Sequence, residues 1–257
     1  MLTFIPWHKS RRLKRIPHVT PLLALPLSEA KRVLVFAPHP DDETLGCGGT
    51  LAQLSQSSAV RVVLVTDGSG AGALPPGHDR VRLEEFRQAL GVLGISDFIS
   101  LGQPDGDFTV SASLLDRLAE IIDDFRPDWV FLPSPLDYHR DHIRISACLE
   151  PLCRNFIFIQ YLIFYETWAP VPATHLVDIT DFVAVKEQAL NCHTTALAHG
   201  DYCRAIDGLN RYRGIYLGRD RSAEAFWVET RSHPVAIFGK IQNISLELLD
   251  WLSRAKR

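Results

Sequence analysis

Within residues 36–50, FAPHPDDETLGCGGT, four groups able to bind a cation or move a proton stand in five positions: His39, Asp41, Asp42 and Glu43. Acidic and imidazole groups crowded this closely repel or desolvate one another unless something compensates, and a divalent cation is the simplest compensation. A catalytic zinc takes three protein ligands from His, Asp or Glu and leaves a fourth position for water. His39 and Asp42 can supply two of them. Three ligands from one tight loop rarely reach tetrahedral geometry, so the third is expected elsewhere, and the segment DYHRDH at 137–142 offers it. His139 and His142 are three apart, which puts them on one face if a helix begins there. Two histidines and a carboxylate suit zinc, iron and cobalt alike.

Each motif has a plainer explanation in isolation. HPDDE reads as a turn followed by an acidic helix start, which the helix dipole favours. Among ten histidines a pair of this spacing is unremarkable. Their shared placement argues for chemistry, because each follows a predicted buried strand. Residues 33–37 (VLVFA) form a continuous apolar run without alternation, the pattern of a strand covered on both faces. Residues 61–66 (RVVLVT) and 129–133 (WVFLP) repeat it, and 98–101 form a shorter strand. The run at 156–164 is also of strand length.

Between the strands, helical spacing appears at 45–54, at 81–93 and at 114–125, with Ser111 or Ser113 available as the N-cap of the third helix. Gly46, Gly48 and Gly49 lack the Lys-Ser/Thr of a phosphate loop and predict close helix–sheet packing instead. Alternating strands and helices predict an α/β fold with a mostly parallel sheet flanked by helices. Both motifs then fall at the carboxyl ends of strands, the edge where such sheets bind ligands.

The chain of 257 residues is 46% hydrophobic and 22% charged, enough apolar material for a sizeable core, with no internal repeat or low-complexity tract. The expected organisation is a partly irregular leader over 1–30 and one domain over 31–257. A net charge of −3 lacks the basic excess with which proteins neutralise phosphates, so nucleic acid is not an expected partner. Five widely spaced cysteines fit a reducing compartment and, with no apolar stretch of membrane-spanning length, a cytoplasmic protein. Lys9, Arg11, Arg12, Lys14 and Arg15 form a basic block that reads as a solvated leader. Its sharper reading is a weak attraction to anionic lipid or to an anionic glycolipid substrate.

At the two metal motifs the chain resembles the LmbE/PIG-L family of N-acetylglucosaminyl deacetylases, whose fold is Rossmann-like. The first motif stands here as Pro38-His39-Pro40-Asp41-Asp42-Glu43, with Pro38 where the family has alanine, and the second as His139-Arg140-Asp141-His142. The resemblance continues through Arg82-Leu83-Glu84-Glu85, Pro104-Asp105-Gly106, Leu209-Asn210-Arg211-Tyr212-Arg213-Gly214 and Ala223-Glu224-Ala225-Phe226, and so covers about residues 33–230. It implies that His39, Asp42 and His142 bind zinc, or another divalent transition metal, and that Asp41 is the general base for the water bound there. The hydroxide so formed attacks the acetamide of an amino sugar. His139, as imidazolium, would stabilise the oxyanion, and Asp141 would orient one of the two histidines of its motif. Arg82 and Asp105 match positions near the sugar pocket, while Arg211 and Glu224 carry no assigned role.

Two other functions compete with N-acetylglucosamine deacetylation. An amidase that cleaves a larger N-acyl group would share the metal site and differ only in its acyl pocket. A non-catalytic sugar- or nucleotide-binding module would keep the fold, although the joint presence of Asp41, the ligand set and His139 argues against it.

Overall fold

The computed structural model describes residues 22–70, 77–106 and 108–231. Its centre is an eight-stranded sheet. The strands are β1 (Leu23–Ala24), β2 (Arg32–Ala37), β3 (Ala59–Thr66), β4 (Asp97–Gln103), β5 (Trp129–Pro133), β6 (Tyr161–Tyr165), β7 (His175–Asp178) and β8 (Ala223–Thr230). They lie in the order β1-β7-β8-β6-β5-β2-β3-β4. Every pairing is parallel except the two made by β8, which runs antiparallel between β6 and β7. Among the described residues seven α-helices accompany the strands: α1 (Asp42–Leu54), α2 (His78–Val92), α3 (Ala112–Phe125), α4 (Arg140–Arg154), α5 (Val183–Leu190), α6 (Thr194–Leu197) and α7 (Tyr202–Gly214). This is the expected Rossmann-like α/β architecture.

The unbroken apolar runs make sense because the sheet is covered on both faces. Along β2, Val33, Val35 and Ala37 join one core with Leu51 and Phe86, while Leu34 and Phe36 join the other with Leu118 and Ile122. The four strands expected at 33–37, 61–66, 98–101 and 129–133 fall in β2, β3, β4 and β5. Of the apolar run at 156–164, only the part from Tyr161 onward is strand. Ser111 caps α3, its hydroxyl accepting the Leu114 N–H at 3.1 Å. Helix α1 begins at Asp42, three residues before the expected start at 45, because the acidic side chains of the motif favour a first helical turn.

The connectivity places the site. From β2 the chain moves outward through β3 to β4, and then α3 carries it back across to β5 on the other side of β2. Strands β2 and β5 are therefore parallel neighbours, with Val33, Leu34 and Val35 opposite Trp129, Val130 and Phe131. The strand order reverses between them, and the loops leaving their carboxyl ends diverge to open a crevice.

The glycines of α1 serve contact. A Cβ at Gly46 would lie 2.3 Å from the Tyr165 ring, and one at Gly49 would lie 2.8 Å from Ile179. Helix α1 is also broken at Cys47 (φ −143°, ψ 17°). Glu224 on β8 accepts the freed N–H groups of Gly49 and Thr50 at 2.9 and 2.7 Å. Lys186 on α5 donates to the Leu45 carbonyl at 2.8 Å and pairs with Glu224 at 2.7 Å. This buried pair bridges the break and fixes the first turn of α1, which carries the motif. Glu224 thus has a structural task, whereas Arg211 sits at the surface against Asp207.

No helix among the described residues is long and apolar enough to cross a membrane. The basic block at 9–15 lies outside the described residues.

Candidate active site

Three candidate ligand atoms converge in the crevice between β2 and β5. His39 Nδ1 lies 3.0 Å from Asp42 Oδ2 and 3.2 Å from His142 Nε2, and His142 Nε2 lies 3.1 Å from Asp42 Oδ2. His39 comes from the loop after β2, Asp42 from the first residue of α1 and His142 from the first turn of α4. Zinc bonds of about 2.0–2.1 Å at tetrahedral angles require donors roughly 3.3 Å apart, which this near-equilateral triangle matches.

The protons tell the same story. Burial lowers the His142 pKa, but the Asp42 carboxylate and Asp137 more than offset it and raise it to about 9. His39, also opposed by burial, is raised by its contacts to Asp105, Asp141 and Asp42. The site therefore attracts positive charge, yet two protonated nitrogens cannot face each other at 3.2 Å. One cation shared by both lone pairs satisfies the whole set. His39, His139 and His142 also bring nitrogens within 4.8 Å of one another, but that grouping is looser than the triangle containing Asp42.

Carboxylates behind the rings orient them. The far nitrogen of His39, Nε2, is 3.0 Å from Asp105 Oδ1 and 3.4 Å from Asp141 Oδ2. The far nitrogen of His142, Nδ1, is 3.2 Å from Asp137 Oδ2. Such partners fix the tautomer and raise ligand basicity. This redistributes the expected roles. The Asp141 side chain faces His39 and the Gly106 N–H (2.7 Å), not a histidine of its own motif, because the start of α4 turns it back toward β2. Asp137 takes the position beside His142. It stands in the motif segment DYHRDH, but no spacing rule singles it out.

Asp41 meets Arg82, whose Nη2 is 3.3 Å from its Oδ2, and lines the same cavity as His39 and Asp42. Burial, reinforced by Asp42, pushes the Asp41 carboxyl up to about 7. Arg82 is buried and also donates to the carbonyls of Gly68 (2.7 Å) and Pro40 (3.0 Å). It lines the cavity, but its guanidinium holds the loop and Asp41 in place. Asp105 likewise lines the cavity with both oxygens engaged, the second by the Gly70 N–H at 3.0 Å. Glu43 is fully buried, accepts the Thr44 hydroxyl at 2.6 Å, and is raised by burial to about 8.

The backbone at Asp41 is strained, with φ 141° and ψ −25°. A non-glycine residue there costs on the order of 1–3 kcal/mol and persists where function requires it. Asp41→Gly should therefore be more stable than Asp41→Ala by about 1–2 kcal/mol, after allowing for the greater freedom of glycine in the unfolded chain. Both variants lack the carboxylate, so thermal unfolding of the pair isolates the backbone. Equal melting temperatures would remove the strain argument.

His139 is the N-cap of α4, and its Nδ1 accepts the Asp141 N–H at 3.3 Å. Burial lowers its pKa, and the neighbouring His39 and His142 lower it further. With Nδ1 accepting from the backbone, Nε2 is the ring nitrogen left to carry a proton. The triangle opens into a cavity of about 320 Å³ lined by Asp41, Arg82, Asp105 and His139. Trp168, His199 and Tyr202 complete the wall. Trp168 and His199 come from late loops and Tyr202 from the start of α7, none with a motif of its own. Two other cavities, of about 240 and 400 Å³, lie away from the ligands.

Comparison with known proteins agrees with this geometry. A family model described as PIG-L, GlcNAc-PI de-N-acetylase, matches residues 34–152, which include both metal motifs. A diacetylchitobiose deacetylase from Thermococcus kodakarensis is 31% identical over 192 residues, covering 65% of this chain and 71% of that one. A 1D-myo-inositol 2-acetamido-2-deoxy-alpha-D-glucopyranoside deacetylase from Kineococcus radiotolerans is 26% identical over 46% of this chain and 44% of that one. Among solved structures, N,N'-diacetylchitobiose deacetylase from Pyrococcus horikoshii superposes with a TM-score of 0.71 at 25% identity, covering 80% of this chain and 86% of that one.

Proposed function

The chain belongs to the PIG-L (LmbE-like) family, and from that premise we propose that it removes the N-acetyl group from an N-acetylglucosamine-type amino sugar. The sugar would be part of a glycan, a glycolipid precursor or a small conjugate. His39, Asp42 and His142 would hold a divalent metal, in the first instance zinc. The observation that carries this reading is the 3.0–3.2 Å triangle opening onto Asp41 and His139. The deacetylase names of the relatives support it.

A cation held there supplies Lewis acidity, acidifying water toward neutral pH and polarising the amide carbonyl. The chain's own residues do the rest. Asp41 accepts the proton of the attacking water, and a carboxyl near neutrality suits both that step and the return of the proton to the leaving amine. The His139 Nε2–H donates to the oxygen that gains charge as the carbonyl carbon becomes tetrahedral. Asp105 and Asp141 orient His39, Asp137 orients His142, and Arg82 holds Asp41. The products are acetate and the free amino sugar. The five cysteines are unpaired, which supports a cytoplasmic setting. We also read the described residues as one domain, whose sheet takes in β1 (Leu23–Ala24) and so reaches into the leader expected over 1–30.

The test is acetate release from N-acetylglucosamine derivatives by the metal-loaded protein, beside the same sugars with longer N-acyl groups. Acetate released in proportion to free amine is the expected result. Cleavage of the longer acyl groups alone would make the protein an amidase of a different class. No cleavage with zinc, iron or cobalt would sink the enzymatic reading.

A further inference from the structure

The catalytic cavity, at about 320 Å³, is near the lower end of the roughly 300–1,000 Å³ typical of small-molecule sites. That is room for one amino-sugar ring, so whatever the sugar is attached to must lie at the rim. Two aromatic rings stand there. Trp168 is 45% exposed, and its ring meets that of Tyr202 edge to face, with centroids 5.6 Å apart and planes at 81°. The two rings form a right-angled corner beside the cavity.

The corner is rigid. The Trp168 N–H donates to Asp137 Oδ2 at 3.2 Å, the same oxygen that faces His142. On either side of Trp168 the loop is tied to a buried ion pair. Glu166 pairs with Arg213 and accepts the Val171 N–H at 2.8 Å, and Arg213 donates to the Val171 carbonyl at 3.1 Å. Tyr202 begins α7, whose N-cap Asp201 accepts the Arg204 N–H at 3.1 Å. A large aromatic left half exposed on a backbone this firmly held is a preorganised binding element, because the loop that carries it needs no ordering when a ligand meets it.

From these observations, and resting on the amino-sugar reading above, we propose that Trp168 and Tyr202 form an outer subsite that stacks a second ring joined to the amino sugar. The flat face of a pyranose or cyclitol presents several parallel C–H bonds at once to the electron-rich face of an aromatic ring, a broader contact than a short linear carboxylate chain offers. The subsite therefore selects ring-bearing aglycones over linear ones.

The experiment uses the zinc-loaded full chain with three probes: N-acetylglucosamine, N,N'-diacetylchitobiose and N-acetylglucosaminyl malate. Wild type should favour the two-ring probe over the other two by about tenfold or more in kcat/KM, mainly through KM. Trp168→Ala should shrink that advantage to about twofold, while Trp168→Phe, which keeps an aromatic face, should retain part of it and controls for folding. Binding is read separately as quenching of Trp168 fluorescence by the two-ring probe, a signal that Trp168→Phe removes. Quenching without acetate release would overturn the deacetylase reading and leave the subsite standing. Acetate release with no ring preference in wild type, or an undiminished preference in Trp168→Ala, would overturn the subsite.

Discussion

Asp41→Asn should lower kcat by about 10²- to 10⁴-fold, the contribution of a positioned general base, while the metal content stays that of wild type. An amide fills the same space beside Arg82 but cannot take a proton from water. The neighbouring residue should behave in the opposite way. Asp42 supplies an oxygen to the ligand triangle at 3.0 and 3.1 Å from the two histidines, so Asp42→Asn should lose metal first and activity only as a consequence. Metal analysis and turnover measured on the same samples separate the two. An empty site in Asp41→Asn beside a full one in Asp42→Asn would reverse the roles.

The same assignment has a pH signature. Asp41 must be unprotonated to act as a base, so activity should fall as pH drops through its pKa. Burial and Asp42 push that carboxyl up to about 7, and a bound cation opposes the shift, so the acid limb should lie below about 7. Acidification also returns protons to the ligand histidines in competition with metal. Saturating the buffer with zinc separates the two contributions, because only the histidine effect responds to it.

If His142 is one of three protein ligands, as proposed, His142→Ala should make metal occupancy collapse together with activity. Asp137→Asn is the milder companion. It leaves all three ligands but weakens the partner 3.2 Å from His142 Nδ1, and substitutions of such partners typically cost about 10- to 100-fold in metal affinity or activity. Metal titration against a chelator should therefore rank wild type above Asp137→Asn and Asp137→Asn above His142→Ala. Full occupancy in His142→Ala would bring His139 into the ligand set, since its ring also lies within reach of His39. An Asp137→Asn affinity equal to wild type would leave Asp137 only the task of holding the His139 and Trp168 backbone.

Much of this protein is legible without coordinates. Strands β2, β3 and β5 announce themselves because a strand covered on both faces cannot tolerate polar residues, and VLVFA, RVVLVT and WVFLP are nearly free of them. His39, Asp42 and the 137–142 segment read as a candidate metal site because so many polar groups do not otherwise gather at the ends of buried strands. The later elements were less so. Strand β8 carries Glu224 and Glu229 at fully buried positions, where only partners distant in sequence make an acidic side chain tolerable.

The tertiary structure decided which groups meet. That β2 and β5 are neighbours follows from the return crossover through α3, and this adjacency makes a triangle of residues 103 apart in the chain. The pattern of residues left open whether His139 or His142 completes it; the resemblance pointed to His142, and the first turn of α4 puts that ring in the triangle. It likewise turns Asp141 toward His39, gives Asp137 to His142 and assigns Arg82 to Asp41. Residue types and spacing report which groups a chain can offer, because local propensity and burial depend on near neighbours. Hydrogen-bond partners and the corner built by Trp168 and Tyr202 depend on distances across the sheet and its loops. Those distances exist only once the strands have been ordered.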